Sequence, residues 1–386
     1  MDSKKLALEN FQYVVDFRHD LHRHPEASFE EVRTTQKIAE ALDRIGLPYQ
    51  KLQPTGLVGT IAGGKPGITI ALRADLDALS ITEKSGVEFS SENPGFMHAC
   101  GHDTHASMLL GAAKALYENR AEIPGTIKVI FQPAEEIALG AKKVIEQGGL
   151  KDVDFIFGLH IMGQMPVSMI AVAEGPSAAA ADVVKITVTG AATHGAMPDK
   201  GADALVAASA IVMNLQSIVS REVSPSLPLV VTIGKLTSGS RFNIVAGSAE
   251  MEGTIRSFDR DLHSRLPGIV ERIAKRTAEA YRCTAEVDYQ MLTEVLVNDP
   301  EAVKYTKSAA QKVVPESVGF KSMEKMMGAE DFAEYTVYSK GGFVGLGSGG
   351  TYPNHSDYFI VEEESFKTGV AWYIQVALDC LTDKAG

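Results

Sequence analysis

The chain has 386 residues, of which 45% are hydrophobic and 22% charged, and a formal net charge of −12. That length exceeds what one ordinary core organises, so two domains are expected, each with ample apolar material. The negative balance argues against nucleic acid and anionic membrane as partners.

Residues 6–24 and 30–45 read as amphipathic helices, stopped at Pro25 and at Gly46. Residues 68–72 form a short apolar strand, and residues 104–118 repeat alanine, methionine and leucine at helical spacing. A strand at 126–131, a helix at 139–147 and a strand at 154–159 follow. Alternation of this kind predicts an α/β fold, with a mostly parallel mixed sheet flanked by helices.

The pattern changes near residue 180. Strands are expected at 183–189, 229–236, 249–257 and 284–290, with helices at 204–220 and 262–281. The order β-α-β-β-α-β is that of a ferredoxin-like α+β domain. The chain then divides into a discontinuous domain, 1–181 and 292–386, and an inserted one, 182–291. Cys100, Cys283 and Cys380 are too few and too scattered for a disulfide framework, so a reducing cytoplasm is expected. No apolar leader is read near the N-terminus, and no apolar run reaches the ~18 residues that span a bilayer.

The stretch His98-Ala99-Cys100-Gly101-His102-Asp103-Thr104-His105 carries one thiol and three imidazoles. These are the side chains that hold zinc and similar ions. Gly101 lets the backbone turn tightly enough for Cys100 and His102 to face one ion. Other polar groups fall at the ends of predicted strands: Asp75 and Asp77, Glu135 and Glu136, His160, and His355 beyond a short loop. In a parallel sheet the carboxyl ends of strands line one crevice.

Cys100, His102, Glu136, His160 and His355 would give five protein ligands, too many for one open zinc and suited to two ions with a shared ligand. Adjacent carboxylates repel, so the Glu135-Glu136 pair calls for a cation. Glu136 is then the ligand and Glu135 the general base. Asp75 or Asp77 orients a ligand imidazole, with Asp77 preferred. His98 and His105 are read as supporting groups. The His19, His22, His24 cluster is read as the exposed end of a helix.

Taken together these residues resemble the dinuclear metallopeptidase and amidohydrolase family of aminoacylases, hippurate hydrolases, plant auxin-conjugate hydrolases and carboxypeptidase-like relatives. The matching motifs include Asp20-Leu21-His22-Arg23-His24-Pro25-Glu26, Arg73-Ala74-Asp75-Leu76-Asp77, Gly158-Leu159-His160, Thr193-His194-Gly195, Gly253-Thr254-Ile255-Arg256 and Gly328-Ala329-Glu330-Asp331-Phe332. The resemblance implies a zinc-exopeptidase-like catalytic domain and an inserted lid that also forms a homodimer interface. It implies that His194 reaches the neighbouring subunit's site and steadies an oxyanion, and that Asn243 and Arg256 hold a substrate α-carboxylate. Cys100 takes the place where many relatives have a bridging aspartate. Asn354 stands where the branch often has a second histidine, a local departure beside His355.

The expected activity is hydrolysis of an N-acyl-L-amino acid, with two divalent ions, zinc or manganese first and cobalt or nickel next. A dipeptidase or an N-acetyl-diaminopimelate-type deacetylase is the alternative. A metal-stabilised dimer that only binds amino-acid derivatives is a third reading, and Glu135 argues against it, because pure binding needs no general base.

Overall fold

The computed structural model describes residues 1–385. The chain forms two compact units. The first comprises Met1–Gly175, Val297–Glu324 and the chain from Asp331 onward; the second comprises Pro176–Leu296 and Lys325–Glu330.

The first unit is built on an eight-stranded sheet. Its spatial order is Tyr49–Lys51, Leu57–Ala62, Pro124–Gln132, Lys65–Asp75, Phe155–Met162, Lys340–Gly347, Ile170–Val172, Phe320–Ser322. The four central strands run parallel. Phe155–Met162 and Lys340–Gly347 are nearly unbroken apolar runs because both of their faces are covered. The helix Ser3–Arg23 begins at Asp2, whose carboxylate accepts from the Lys4 and Lys5 N–H groups. The helix Val32–Ile45 ends at Gly46, which takes the left-handed conformation at φ +78°. The helix His102–Glu118 is buried on nearly every side, with Met108, Leu109, Leu110 and Leu116 in the core.

The expected strands and helices are present, several of them longer than their sequence pattern. The strand expected at 154–159 runs on through His160 to Met162, so that histidine lies within the strand rather than after it. The short strands Ile170–Val172 and Phe320–Ser322 carry too few residues to show a period and were invisible to it.

Topology explains where a site must fall. The strand Lys65–Asp75 is followed in sequence by Pro124–Gln132 on one side and by Phe155–Met162 on the other. The order reverses at Lys65–Asp75, and ligands of open α/β sheets bind at the carboxyl end of such a reversal. Asp75 pairs in register with Gln132, and Gly345 with His160. Residues two to four positions beyond those pairs are therefore neighbours.

The second unit has an antiparallel sheet of four strands in the order Leu229–Ser238, Ser248–Ser257, Ala180–Thr189, Thr284–Thr293. With the helices Ala204–Ser217 and Arg260–Ala280 this is the ferredoxin-like arrangement. Val184, Ile186 and Val188 alternate into the core, the period-two pattern of a half-buried strand. Residues 325–330, read from sequence as part of the discontinuous domain, join this unit instead. The reason is backbone pairing: Ala179 N–H donates to Met326 and Gly328 carbonyls, and Met326 N–H to Ser177.

The helix Ala204–Ser217 continues into a π-helical turn, Ile218–Glu222. Ala204–Glu222 has a mean hydropathy of 1.4 and is, by length and composition alone, apolar enough to cross a membrane, which corrects the reading that no segment reaches that length. Seven of its nineteen residues are polar or charged, six of them from Asn214 onward, so the average rather than an unbroken apolar run carries that value. Ala204, Ala207, Ala208, Ile211 and Leu215 form one wall of the unit's core.

Candidate metal centre

Five predicted donors converge at the switch point of the sheet. Cys100 Sγ lies 3.3 Å from His160 Nε2 and 3.3 Å from His355 Nε2. Glu136 Oε1 lies 3.8 Å from His102 Nε2 and 3.7 Å from His355 Nε2. The donors of Cys100, His102 and His160 form one group, and those of Cys100, Glu136 and His355 another, each within 4.8 Å. Cys100 belongs to both.

Local sequence makes these approaches feasible. Gly101 sits at φ +90°, and a Cβ there would stand 2.3 Å from Ile161 Cγ2. Only glycine allows the chain to turn from Cys100 straight into the helix that begins at His102. Asn354 stitches the last ligand loop to the sheet. Its Nδ2 donates to the carbonyls of Cys100 at 3.0 Å and Ile161 at 3.1 Å, and its Oδ1 accepts from Gly163 N–H at 3.0 Å. His355 N–H in turn donates to Ala99 O at 2.8 Å. The departure at Asn354 is thus a bracket for His355.

Second-layer groups set the imidazoles. Asp77 Oδ1 lies 3.2 Å from His102 Nδ1, closer than Asp75 at 3.8 Å. Asp77 also accepts from the N–H groups of Glu135 and Glu136, both at 3.0 Å, and from Ser28 Oγ at 2.6 Å. His160 Nδ1 donates to Ile161 O at 2.7 Å, which leaves Nε2 as the lone-pair nitrogen facing Cys100. His105 accepts from Ile161 N–H on Nε2 and pairs through Nδ1 with Asp75 at 2.6 Å. Both its nitrogens are engaged, so it braces the centre.

The donor set fits a divalent cation. His102 Nε2 and Glu136 Oε1 are buried and have no hydrogen-bond partner. Unpaired buried polar atoms are costly, and native proteins rarely keep them without a ligand. Charge tells the same story. Burial, with the charges of Asp77 and Asp75, raises Glu136 against the pull of His102. Burial raises the Cys100 thiol well above its ordinary value, against the pull of His102. Burial opposes charge on His102, yet Asp75, Cys100 and Asp77 raise it well above the ordinary imidazole. A cation would resolve all three by replacing protons.

Beneath the donors lies a buried ionic network built on Arg73, Gln132 and Asp331, residues to which the sequence alone assigns no role. Arg73 donates to Asp75 at 2.6 Å, Asp331 at 2.8 Å and Gln132 at 2.8 Å. Gln132 Nε2 donates to Asp331, and Asp331 N–H reaches Glu135 Oε1 at 3.4 Å. Nothing local marks Arg73 or Asp331 as partners, since they stand 258 positions apart. The reading of His22 is corrected as well. It is not an exposed helix end but buried, pairing with Asp103 at 2.7 Å and Glu83 at 3.2 Å. The charged residues that surround it come from distant segments, which the local pattern does not show.

In the second unit, Thr193–His194 pairs with Ile244–Val245, and Gly195 N–H donates to Asn243 O at 2.8 Å. His194 and Asn243 thus stand on adjoining exposed segments. His194 Nδ1 accepts from Ala196 N–H at 3.1 Å, which places the ring proton on Nε2. Arg256 lies in the strand Ser248–Ser257, opposite Ala181 and Val230, and donates to Ile255 O and Thr254 Oγ1.

Thiol, imidazole and carboxylate donors gathered at a sheet's switch point, with one more carboxylate beside them, define a metal-dependent hydrolase. The chain belongs to peptidase family M20/M25/M40, whose model matches residues 71–379. It is similar to an N-acetylcysteine deacetylase of Bacillus subtilis, 38% identical over 370 residues, or 95% of this chain and 96% of the relative. It is 36% identical over 377 residues to an IAA-amino acid hydrolase of Arabidopsis thaliana, covering 95% of this chain and 85% of that protein. A crystal structure of a Bacillus subtilis dinuclear metal-binding peptidase of the M20 family matches it with a TM-score of 0.86 at 35% identity, over 96% of this chain and 98% of the other.

Proposed function

We propose that this chain hydrolyses N-acyl-L-amino acids to a carboxylate and a free amino acid. The observation that carries the proposal is the juxtaposition of two orphaned buried donors, His102 Nε2 and Glu136 Oε1, with the adjacent carboxylate of Glu135. Cys100, His102, Glu136, His160 and His355 would hold two divalent ions, with Cys100 shared, and zinc or manganese suits this mixture of sulfur, nitrogen and oxygen. Such ions, when bound, polarise an amide carbonyl and make water a better nucleophile at neutral pH.

The chain's own residues do the rest. Glu135 takes the proton from the attacking water as the C–O bond forms and the carbonyl oxygen becomes an oxyanion, and it gives that proton to the leaving nitrogen as the oxyanion collapses and the C–N bond breaks. Asp77 holds His102 in one orientation and, through two N–H groups, holds the backbone that carries Glu135. His194 offers Nε2–H to the developing oxyanion, and Asn243 and Arg256 bind the α-carboxylate.

The proposal includes a homodimer in the cytoplasm, with His194 serving the partner subunit. In its support, Leu205, Val206 and Met213 lie exposed on the helix Ala204–Ser217, Met213 at 71%. The neighbouring strand Leu229–Ser238 is an unpaired sheet edge.

Purified protein, reloaded with zinc or manganese, is to be assayed for amine release from N-acetyl and N-benzoyl amino acids and from dipeptides. Preferred turnover of the N-acyl substrates is expected. Preference for dipeptides would make the protein a dipeptidase, and no amine release from any of them would overturn the proposal. For the shared site, His194→Ala protein mixed with Glu135→Gln protein should partly recover activity. Absence of recovery in verified heterodimers would remove His194 from the partner's site.

A further inference from the structure

The carboxylate of Glu31 is out of place for its position in the chain. It stands at the N-cap of the helix Val32–Ile45, where an acidic side chain ordinarily accepts from the first-turn N–H groups, yet it makes no such bond. Glu26 does that instead, accepting from Arg33 N–H at 2.9 Å and Thr34 N–H at 2.8 Å. Glu31 is left to face inward, and it is fully buried. Its Oε2 accepts from Thr55 Oγ1 at 2.5 Å, and its Oε1 accepts from the Ala134 N–H at 2.8 Å.

Ala134 immediately precedes the Glu135-Glu136 pair. It has φ +53°, a left-handed backbone that is strained for a non-glycine residue and persists only where its surroundings hold it. Three consecutive N–H groups, those of Ala134, Glu135 and Glu136, thus point at two buried carboxylates. Asp77 takes the last two, and Glu31 takes the first. Successive N–H groups around anions form a rigid concavity, and rigidity here sets where the two glutamate side chains emerge. The segment 26–31 touches the same region twice more, through Ser28 on Asp77 and through Glu26 O, which accepts from Ala78 N–H at 2.8 Å.

We propose that Glu31 is a positioning residue for the loop that bears Glu135 and Glu136: by holding the Ala134 N–H it fixes the left-handed turn from which both side chains project. Glu31 touches no donor atom of the metal centre and acts only through the backbone. Burial, with the nearby charge of Asp77, pushes its carboxyl up to about 7 against the pull of Thr55. What Glu31 gives the loop is an acceptor oxygen for the Ala134 N–H, and a glutamine, which keeps such an oxygen, should serve. As a statement about turnover, the inference rests on the hydrolase reading above.

The test uses the metal-loaded full chain. Glu31→Ala should lower kcat by about tenfold to a hundredfold while KM stays within about twofold, as is typical when support for a site is removed. Glu31→Gln should stay within about threefold of the wild type, because its amide oxygen replaces the lost acceptor. Amide hydrogen exchange gives a readout that needs no substrate. In Glu31→Ala, exchange at residues 133–137 should rise, while exchange across the helix His102–Glu118 stays unchanged. Wild-type kcat, or wild-type exchange at 133–137, in Glu31→Ala overturns the proposal. So does a uniform rise in exchange over the unit, which would mark a merely structural role. Should Glu31→Ala fail to fold, Thr55→Val decides: it removes the hydroxyl that anchors Glu31, and unchanged exchange at 133–137 would sink the idea. If the wild-type protein hydrolyses no N-acyl amino acid, the functional reading fails, while the exchange data still judge Glu31.

Discussion

Each of the two units buries a cluster of imidazole and carboxylate, and the clusters end differently. In the second unit, His263 Nε2 pairs with Asp182 Oδ1 at 2.8 Å, Tyr289 donates to the other Asp182 oxygen at 2.6 Å, and Glu294 lies 3.4 Å from His263 Nδ1. His263 Nδ1 makes no hydrogen bond either, but a carboxylate stands within ion-pair reach of each of its nitrogens, and in that sense the group is closed. In the first unit, Cys100, His102, Glu136, His160 and His355 face one another with His102 Nε2 and Glu136 Oε1 unsatisfied. That group is open. The difference teaches that burial of titratable residues does not by itself mark a site. What marks one is several metal-binding donors facing one another, some of them without the partner that a cation would supply.

The comparison can be broken at several points. The largest effect is expected from Glu135→Gln, which should lower kcat by about 10²–10⁴-fold, the range for loss of a general base, while elemental analysis finds the metal content unchanged. Cys100→Ala should instead lose metal. A Glu135→Gln protein that turned over normally would leave the open cluster without its catalytic role.

Next comes metal removal. A ligand present at about a thousand times its Kd stabilises the folded state by about 4 kcal/mol. Chelation should therefore lower the Tm and raise hydrogen exchange around residues 98–105 and 132–136. Exchange around Asp182 and His263 should not move. Equal loosening of both clusters would refute the distinction between open and closed.

Gly101→Ala probes the turn between two ligands. The added Cβ meets Ile161 Cγ2 at 2.3 Å on a backbone at φ +90°. A cost of about 2–3 kcal/mol is expected from strain and overpacking, with weakened metal affinity. Calorimetry and a metal titration would measure both.

The smallest effect is the pH response of the closed cluster. Burial opposes charge on His263, but Asp182 and Glu294 outweigh it and raise its pKa to about 9. A group raised above its unfolded value near 6.5 contributes stability that is full below that value. The contribution is lost as pH rises through about 9. Because Glu294 is partly in water, about 1–2 kcal/mol is expected rather than the full shift. Denaturant titrations at pH 6 and pH 10 should show that loss in the wild type and not in His263→Gln. An identical pH dependence in the two proteins would show that His263 is not the cation.

Much of this was legible in the chain. The alternation of apolar strands and helices predicts the parallel sheet, and the Cys-Gly-His spacing and the Glu-Glu pair name donors whose chemistry is local. Asp77 could be preferred over Asp75 from sequence, but only the register of Asp75 with Gln132 explains why the residue two positions on meets Glu135 and Glu136. His22 misled, because a histidine before a helix-stopping proline looks exposed, and the Asp103 and Glu83 that bury it lie 81 and 61 positions away. Glu31 carried no signal either, since its natural reading is a helix cap and Glu26 had taken that role.

The amino-acid order alone determined which side chains are available to a cation, and which segments become strands or helices, because donor chemistry and hydrophobic period are properties of short stretches. Tertiary structure decided which of those side chains meet, which remain without partners, and which carboxylates hold the loop in place. Those outcomes depend on strand order and register between distant segments, and on the burial that turns an unsatisfied nitrogen or oxygen into a demand for a ligand.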